Sequence, residues 1–283
     1  MRNMKFAKRI GAVVLAVCMV LSCAGCGGSS NKGASEETTE VITEGGNSKI
    51  LVAAAASLQA TFDNELIPLF EKENPEITVE GTYASSGDLQ HQIESGLDAD
   101  VFFSAATSNM DTLAEEKLID EDTVVDLLKN NVVLITPKDS KLRIKSFKDI
   151  TKADTIAIGD PESVPAGKYA KEILINLDVY NEVEKKASLG ASVTEVLSWV
   201  AEGSADAGIV YATDAQTENT NGDDKEVEVV ATAEDSMMQT PVVYPVGVVS
   251  ASTHKDEAKA FEDFLQTDEA KAVLEKAGFT INK

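Results

Sequence analysis

The sequence predicts an α/β fold with mainly parallel sheets. Short apolar runs that are typical of buried strands alternate with stretches whose apolar residues recur at helical spacing. Several of these runs are followed at once by a serine or by a turn rich in glycine and proline, which are residues that begin helices. Strands that alternate with helices in this way form parallel sheets covered by helices.

Each element follows from one of these patterns. The apolar runs predict eight strands, at residues 50–56, 77–84, 100–105, 132–136, 155–158, 186–189, 207–211 and 242–249. Helical spacing predicts helices over 167–177 and 193–202, and one or two helices over 255–276. The helix that follows the first strand contains Pro68, which predicts a kink or a break late in that helix.

The N-terminus has the layout of a secretory signal peptide, predicted over residues 1–25. Basic residues precede an apolar run over 10–21, which is too short for a membrane-spanning helix. The segment C-A-G-C-G-G resembles the lipobox of bacterial lipoproteins, which implies lipidation of Cys26, with Cys23 as the alternative. An ordinary signal peptide with incidental cysteines is the other interpretation. Residues 26–48 are then the lipidated cysteine and a disordered tether.

The charge excludes one class of partner. The formal net charge is −23 at pH 7, and the body has no basic stripe that could displace counterions from a nucleic acid. A protein this acidic attracts an anion only through local, oriented dipoles. All three cysteines lie in the N-terminal segment, so the exported body is predicted to contain no disulfide.

Four strand-to-helix junctions are candidate anion contacts, at Ser57, Ser86, Ala166 and Val193. Ser57 is predicted as an N-cap from its position, and Pro165 and Gly167 open the helix at Ala166. The free N–H groups and the dipole of a helix N-terminus favour negative charge. A plain strand-to-helix connection remains the alternative for any single junction. If two sheets face each other, the four helix N-termini could converge on one small anion.

Five segments resemble the molybdate-binding proteins of molybdate ABC transporters. They are A-A-A-S-L at 54–58, Y-A-S-S-G at 83–87, I-E-S-G-L-D-A-D-V-F-F-S-A at 93–105, G-D-P-E-S-V-P-A-G-K-Y-A at 159–170 and G-I-V-Y-A-T-D-A at 208–215. The resemblance runs from about Lys49 to the C-terminus, with the segments in the family's order. It implies the two-lobed fold of type II periplasmic binding proteins, which close around a ligand by hinge motion.

The resemblance also implies the limits of the lobes. One lobe takes residues 49–131 and 242–283, and the other takes 132–241. Two hinge crossings, near 130–133 and 240–244, connect them. The implied protein is a monomer that is anchored by lipid to the extracytoplasmic face of the cell membrane and delivers its solute to the membrane subunits of an ABC permease.

The implied ligand is molybdate or tungstate, and no cofactor or free metal ion is implied. Carried over by motif, the ligand contacts are Ser57, Ser86, Ala166, Val193 and Tyr211, of which Val193 has the loosest match. All five are neutral donors, which suits a dianion that carries no proton. Because none of them titrates near neutrality, the affinity is expected to be nearly flat from about pH 6 to 8.

Three alternatives remain beside this function. Sulfate and phosphate are tetrahedral oxyanions too, and Asp88 could accept the proton of phosphate. A serine hydrolase would need a base beside Ser57 or Ser86. His91 lies five residues after Ser86, on a different helix face, so the chain is predicted not to be an enzyme.

Overall fold

The computed structural model describes residues 48–218 and 226–282. The predicted signal peptide, the lipidation site at Cys26 or Cys23 and nearly all of the tether lie outside these residues. Within the described ranges, no helix is long and apolar enough to cross a membrane.

The first sheet has six strands. They are β1 (Ser48–Ala55), β2 (Ile77–Ala84), β3 (Val101–Phe103), β4 (Val125–Asn130), β10 (Val242–Val248) and β11 (Thr280–Ile281). Their spatial order is β11-β4-β10-β3-β1-β2. The strands β1, β2 and β3 are parallel, and β10 pairs antiparallel with both β3 and β4.

The second sheet has five strands. They are β5 (Val132–Pro137), β6 (Ile156–Gly159), β7 (Ala187–Gly190), β8 (Ala207–Tyr211) and β9 (Val227–Thr232). Their spatial order is β7-β6-β8-β5-β9, in which β6 is parallel to β7 and β8 while β5 is antiparallel to β8 and β9.

The α/β class with two sheets is confirmed, but the prediction of mainly parallel sheets is wrong, because both sheets are mixed. The antiparallel pairs arise where the chain passes between the sheets. The strands β4 and β5 follow each other with only Asn131 between them, yet they lie in different sheets. Each sheet therefore holds one strand that enters from the other, β10 in the first and β5 in the second, and this strand runs against the parallel set. The short strand β11 also runs against that set.

Ten α-helices flank the two sheets within residues 48–218 and 226–282. They are α1 (Gln59–Thr61), α2 (Ile67–Glu73), α3 (Ser86–Glu94), α4 (Thr107–Glu115), α5 (Pro165–Asn176), α6 (Tyr180–Val183), α7 (Val193–Ala201), α8 (Ala212–Glu218), α9 (Lys255–Leu265) and α10 (Asp268–Lys276). The helices α3, α4 and α9 pack on the first sheet, and α5, α7 and α8 pack on the second. Below, lobe 1 is the first sheet with its helices and lobe 2 is the second sheet with its helices.

The chain crosses between the lobes twice in the described ranges, between Asn130 and Val132 and between Thr232 and Val242. The limits given above for the lobes stay a prediction.

On the first sheet, apolar side chains alternate between two faces. Ala53 and Phe102 pack under α3 and α4, while their neighbours along the strands face the larger core.

The helix after β1 is irregular next to Pro68. A π-helical turn, Phe62–Leu66, lies directly before α2, and Pro68 occupies the first turn of α2. Proline lacks an N–H group and clashes with the carbonyl four residues earlier. A π-turn at this place lets the chain continue in helical form through Glu73, so the helix neither ends nor breaks at Pro68.

Candidate functional site

The five residues predicted as ligand contacts lie around one pocket between the lobes. Ser57 and Ser86 come from lobe 1, and Ala166, Val193 and Tyr211 come from lobe 2. The empty space at the pocket is about 220 Å³, and this figure includes space that is open to solvent. The remaining lining residues are Ala55, Ala56, Ala84, Ser85, Ala105, Val164 and Pro165.

The prediction that Ser57 is an N-cap is wrong. Ser57 lies inside a short 3-10 helix, Ala56–Leu58, whose N-cap is Ala55, and it makes no capping hydrogen bond. Its Oγ atom instead lies 3.0 Å from the hydroxyl of Tyr244, on the strand that returns from lobe 2. The 3-10 turn begins at Ala56, two residues earlier than a serine cap at position 57 would place it.

Ser86 begins α3 and its side chain is buried. The cap of this helix is the preceding Ser85, whose Oγ accepts a hydrogen bond from Asp88 N–H at 3.1 Å. The Oγ of Ser86 accepts from the backbone N–H of Ala105 at 2.9 Å. Because that bond uses a lone pair and not the hydroxyl proton, Ser86 can still donate into the pocket.

In lobe 2, two helices present their first turns to the pocket. Pro165 is the first residue of α5, and Ala166 follows it. Val193 is the first residue of α7, whose cap Ser192 accepts from Glu195 N–H at 3.2 Å. First-turn N–H groups have no acceptor within their own helix, so Ala166 and Val193 can each offer one to a ligand.

Gly167 is needed for packing inside lobe 2, and not for the approach of a ligand. A Cβ atom at Gly167 would lie 2.1 Å from the carbonyl oxygen of Gly159. The two glycines thus let α5 sit directly against the end of β6. This contact fixes the position of the α5 N-terminus at the pocket.

Tyr211 is the last residue of β8 and is 1% exposed. Its buried hydroxyl has no hydrogen-bond partner among the described residues. Burial, and next to it the neighbouring Tyr244, raises the pKa of this phenol well above its usual value, so it keeps its proton. The Tyr244 hydroxyl is near it, but the geometry does not make a hydrogen bond. A buried hydroxyl without a partner is unfavourable, and a ligand that accepts its proton would remove that cost.

The lining contains no charged side chain. Within the described ranges there is also no group of three or more histidine, cysteine, aspartate or glutamate residues placed to hold a metal ion. The available donors are hydroxyl groups and helix N-termini. This chemistry suits a ligand that only accepts hydrogen bonds.

The two lobes touch at the edge of the pocket. The backbone N–H of Gly87, in the first turn of α3, donates to the carbonyl of Ser163 in lobe 2 at 3.0 Å. A Cβ atom at Gly87 would lie only 2.3 Å from that oxygen. The absence of a side chain at Gly87 therefore permits this closed arrangement.

One titrating group lies behind Tyr211. The carboxylate of Asp214 is buried and accepts from Tyr211 N–H at 3.0 Å. Burial raises the pKa of Asp214 from 3.8 to about 7, although backbone N–H groups oppose the rise. The unfolded chain gives up this proton near pH 4, whereas the folded chain keeps it until about pH 7. Asp214 therefore destabilises the fold progressively from pH 4 to 7, and its contribution is constant above that.

We expect the unfolding free energy of the Asp214→Asn variant, compared with that of the wild type, to be about 1–3 kcal/mol more favourable at pH 8 than at pH 5. An asparagine oxygen can still accept from Tyr211 N–H but carries no charge. Urea unfolding of both proteins at the two pH values measures this difference. An equal difference at both pH values would contradict the raised pKa.

The same carboxylate changes the expected pH profile of anion binding. A negative charge behind Tyr211 opposes a dianion, so affinity is expected to fall between pH 6 and 8, and not to stay flat. The Asp214→Asn variant should restore a flat profile. Calorimetric titration with molybdate at pH 6 and pH 8 compares the wild type with the variant.

Two residues near the site were predicted only as ends of the hinge crossings, with no role at the ligand site. Tyr244 is the one polar residue in an otherwise apolar strand, V-V-Y-P-V-G-V, and Asn130 lies at the first crossing. Both are buried, and they are joined by a hydrogen bond of 3.1 Å. A lone tyrosine in a central apolar strand is the signal that could have revealed this pair.

Comparison with known proteins gives the family. The model of the bacterial extracellular solute-binding proteins matches residues 50–280. A Bacillus subtilis protein provisionally named ABC transporter substrate-binding lipoprotein YvgL is 38% identical over 96% of this chain and 98% of its own length. The molybdate-binding protein ModA of Escherichia coli K12 is 37% identical over 82% of this chain and 89% of its own.

A solved structure has the same fold. The periplasmic molybdate-binding protein of Azotobacter vinelandii matches with a TM-score of 0.72, over 83% of this chain and 100% of its own, at 19% identity. This likeness confirms the two-lobed periplasmic binding fold. Membership of a solute-binding family also confirms the prediction that the chain is not an enzyme. The chain belongs to the bacterial extracellular solute-binding proteins, in the family of the molybdate-binding protein ModA.

Proposed function

We propose that this solute-binding protein captures molybdate or tungstate between its two lobes and delivers it to the membrane subunits of an ABC permease. The bound oxyanion accepts hydrogen bonds from the hydroxyls and backbone N–H groups of Ser57 and Ser86, the backbone N–H groups of Ala166 and Val193, and the phenol of Tyr211. Because these contacts come from both lobes, the ligand favours the closed state.

The observation that carries this proposal is the composition of the pocket. Residues from both lobes surround it, they offer only neutral donors, and the hydroxyl of Tyr211 has no partner among the described residues. Charge-assisted hydrogen bonds contribute about 1.5–3 kcal/mol each. About six of them exceed the roughly 10 kcal/mol that a sub-micromolar site requires after the cost of closure. A lysine or arginine is therefore unnecessary.

Phosphate fits this pocket less well than molybdate. At neutral pH phosphate carries a proton and needs an acceptor, but the lining has no carboxylate, and Asp88 is not part of it. Sulfate has no proton and is the second candidate. It differs from molybdate in size, so selectivity would depend on how far the lobes close.

The anchor and the partner complete the proposal. A lipid on Cys26 would hold the protein at the extracytoplasmic face of the cell membrane, with residues up to 48 as a tether. The protein would act as a monomer, since one chain supplies both walls of the pocket. The permease would receive the anion when the lobes open.

A thermal-shift panel on the full-length chain tests the ligand. Molybdate and tungstate are expected to raise the melting temperature, because a ligand at a hundredfold excess over its dissociation constant adds about 2.7 kcal/mol of stability. Sulfate and phosphate serve as matched anions of similar shape. Trp199, the single tryptophan, lies in α7 and gives a second signal through its fluorescence. No response to molybdate in either signal would reject this function.

A further inference from the structure

A chain of buried hydrogen bonds leads from the crossing between the lobes to Ser57. The Nδ2 atom of Asn130 donates to the hydroxyl of Tyr244 at 3.1 Å and to Oγ1 of Thr213 in lobe 2 at 2.9 Å. The Tyr244 hydroxyl lies 3.0 Å from Oγ of Ser57. Asn130, Thr213 and Tyr244 are 7%, 1% and 0% exposed, so water does not compete for these bonds.

The direction of the first bond is fixed by the backbone. The N–H of Asn131 donates to Oδ1 of Asn130 at 2.8 Å. Because a backbone N–H can only donate, the atom of Asn130 that faces it must be the carbonyl oxygen. The amide nitrogen of Asn130 therefore faces Tyr244 and Thr213, and it can only donate to them.

The second bond can then run from Tyr244 to Ser57. The Tyr244 hydroxyl accepts from Asn130 through a lone pair, so its single proton is available to Oγ of Ser57 at 3.0 Å. Burial raises the pKa of the Tyr244 phenol well above its usual value, so this proton is present at every physiological pH. Ser57 then accepts from Tyr244, and its own proton is left to point away from that bond, toward the pocket.

We propose that Asn130 and Tyr244 are positioning residues for the oxyanion site, forming a one-way relay that keeps the Ser57 hydroxyl a hydrogen-bond donor to the ligand. This inference rests on the proposed function. The relay begins at the crossing segment and also bonds Thr213 in lobe 2. The relay therefore links the role of the Ser57 hydroxyl as a donor to the arrangement of the two lobes.

A double-mutant cycle tests the relay with sodium molybdate as the probe. By calorimetry, Ser57→Ala should weaken binding roughly tenfold to hundredfold, and Tyr244→Phe roughly three- to tenfold. In the Ser57→Ala background, Tyr244→Phe should cause no further loss beyond about twofold, because its effect passes through the missing hydroxyl. Equal losses in both backgrounds would overturn the relay and leave Tyr244 a purely structural residue.

A second substitution keeps the test valid if Tyr244→Phe does not fold. In Asn130→Asp, the carboxylate can only accept, so it would draw the Tyr244 proton away from Ser57. The added charge weakens molybdate binding both with Ser57 and in the Ser57→Ala background, whereas the redirected Tyr244 proton matters only when Ser57 is present. A larger loss of affinity when Ser57 is present supports the relay, and an equal loss in both backgrounds overturns it. Tyr83→Phe, which removes a hydroxyl bonded to Asp63 at 2.6 Å outside the pocket lining, is the control and should leave binding unchanged.

Failure of the proposed function is distinguishable from failure of the relay. A wild-type chain that bound no molybdate would reject the proposed ligand. The same four proteins of the Ser57 and Tyr244 cycle would then decide the relay by urea unfolding without ligand. Non-additive unfolding free energies support the bond between Ser57 and Tyr244, and additive ones overturn it.

Discussion

Replacing Gly87 by alanine is expected to weaken molybdate binding by roughly 5- to 150-fold without unfolding the protein. The new Cβ atom would lie 2.3 Å from the carbonyl oxygen of Ser163 across the mouth of the pocket. Both contacting groups are backbone-bound and cannot rotate away, so the lobes must move apart. An overpacked contact costs about 1–3 kcal/mol, which gives the range of affinity loss.

The stability of the ligand-free Gly87→Ala variant should change little. Opening the lobes relieves the clash, and alanine is favoured over glycine in a helix by up to about 1 kcal/mol. Calorimetry with molybdate and urea unfolding without it separate the two effects. A wild-type affinity would show that the lobes do not need this close approach to hold the ligand.

Gly96→Asn is the matched control for this experiment. Gly96 lies just beyond the other end of the same helix, in a backbone conformation with φ of +93° and open space around its Cβ position. Asparagine tolerates positive φ better than other residues with a side chain. This variant should bind molybdate like the wild type, so a loss confined to Gly87→Ala points to the contact between the lobes.

The Tyr211→Phe variant should change stability and binding in opposite directions. Without ligand, the hydroxyl of Tyr211 is buried and has no hydrogen-bond partner among the described residues. Its removal eliminates an unsatisfied polar group and should raise the unfolding free energy by about 1–3 kcal/mol. With ligand, the lost charge-assisted bond should weaken molybdate binding by roughly ten- to hundredfold.

Unfolding and calorimetry on the same Tyr211→Phe preparation measure both effects. Val193 and Ala166 contribute backbone N–H groups, which only a proline would remove, so Tyr211 is the best lobe 2 residue to test by a side-chain substitution. If the variant lost stability without ligand, its hydroxyl would have a partner in solution. Unchanged affinity would remove Tyr211 from the proposed contacts.

The sequence was most informative where strands meet helices. The motifs around Ser57, Ser86 and Ala166 are short and local, and each one places a donor at the end of a strand. Parallel pairing then brings strand ends to one edge of a sheet. For this reason the structure gathers residues around one pocket that are far apart in the sequence.

Features that depend on distant pairs could not be predicted in this way. The partner of Ser57 is Tyr244, which lies 187 positions away. The glycine at position 87 has a role only because the backbone of Ser163 approaches it from the other lobe. Local composition gives no sign of these approaches. The pKa of Asp214 likewise depends on burial by residues from several elements.

Local sequence patterns did not predict the mixed strand directions, for a related reason. No strand was predicted over β4, V-D-L-L-K-N, and it leads into β5 without a turn signal that would mark a change of sheet. Only Asn131 separates them, and no glycine or proline stands between them. The antiparallel strand β10 pairs with β3 and β4, which come much earlier in the chain.

A crystal structure of the full-length chain with molybdate, with the metal located by its anomalous scattering, tests the central claim most directly. One molybdenum atom per chain is expected in the pocket between the lobes. Its oxygens should lie within about 3.2 Å of donors on Ser57, Ser86, Ala166, Val193 and Tyr211. A molybdenum atom bound elsewhere, or one in the pocket that the Tyr211 hydroxyl does not contact, would contradict this claim.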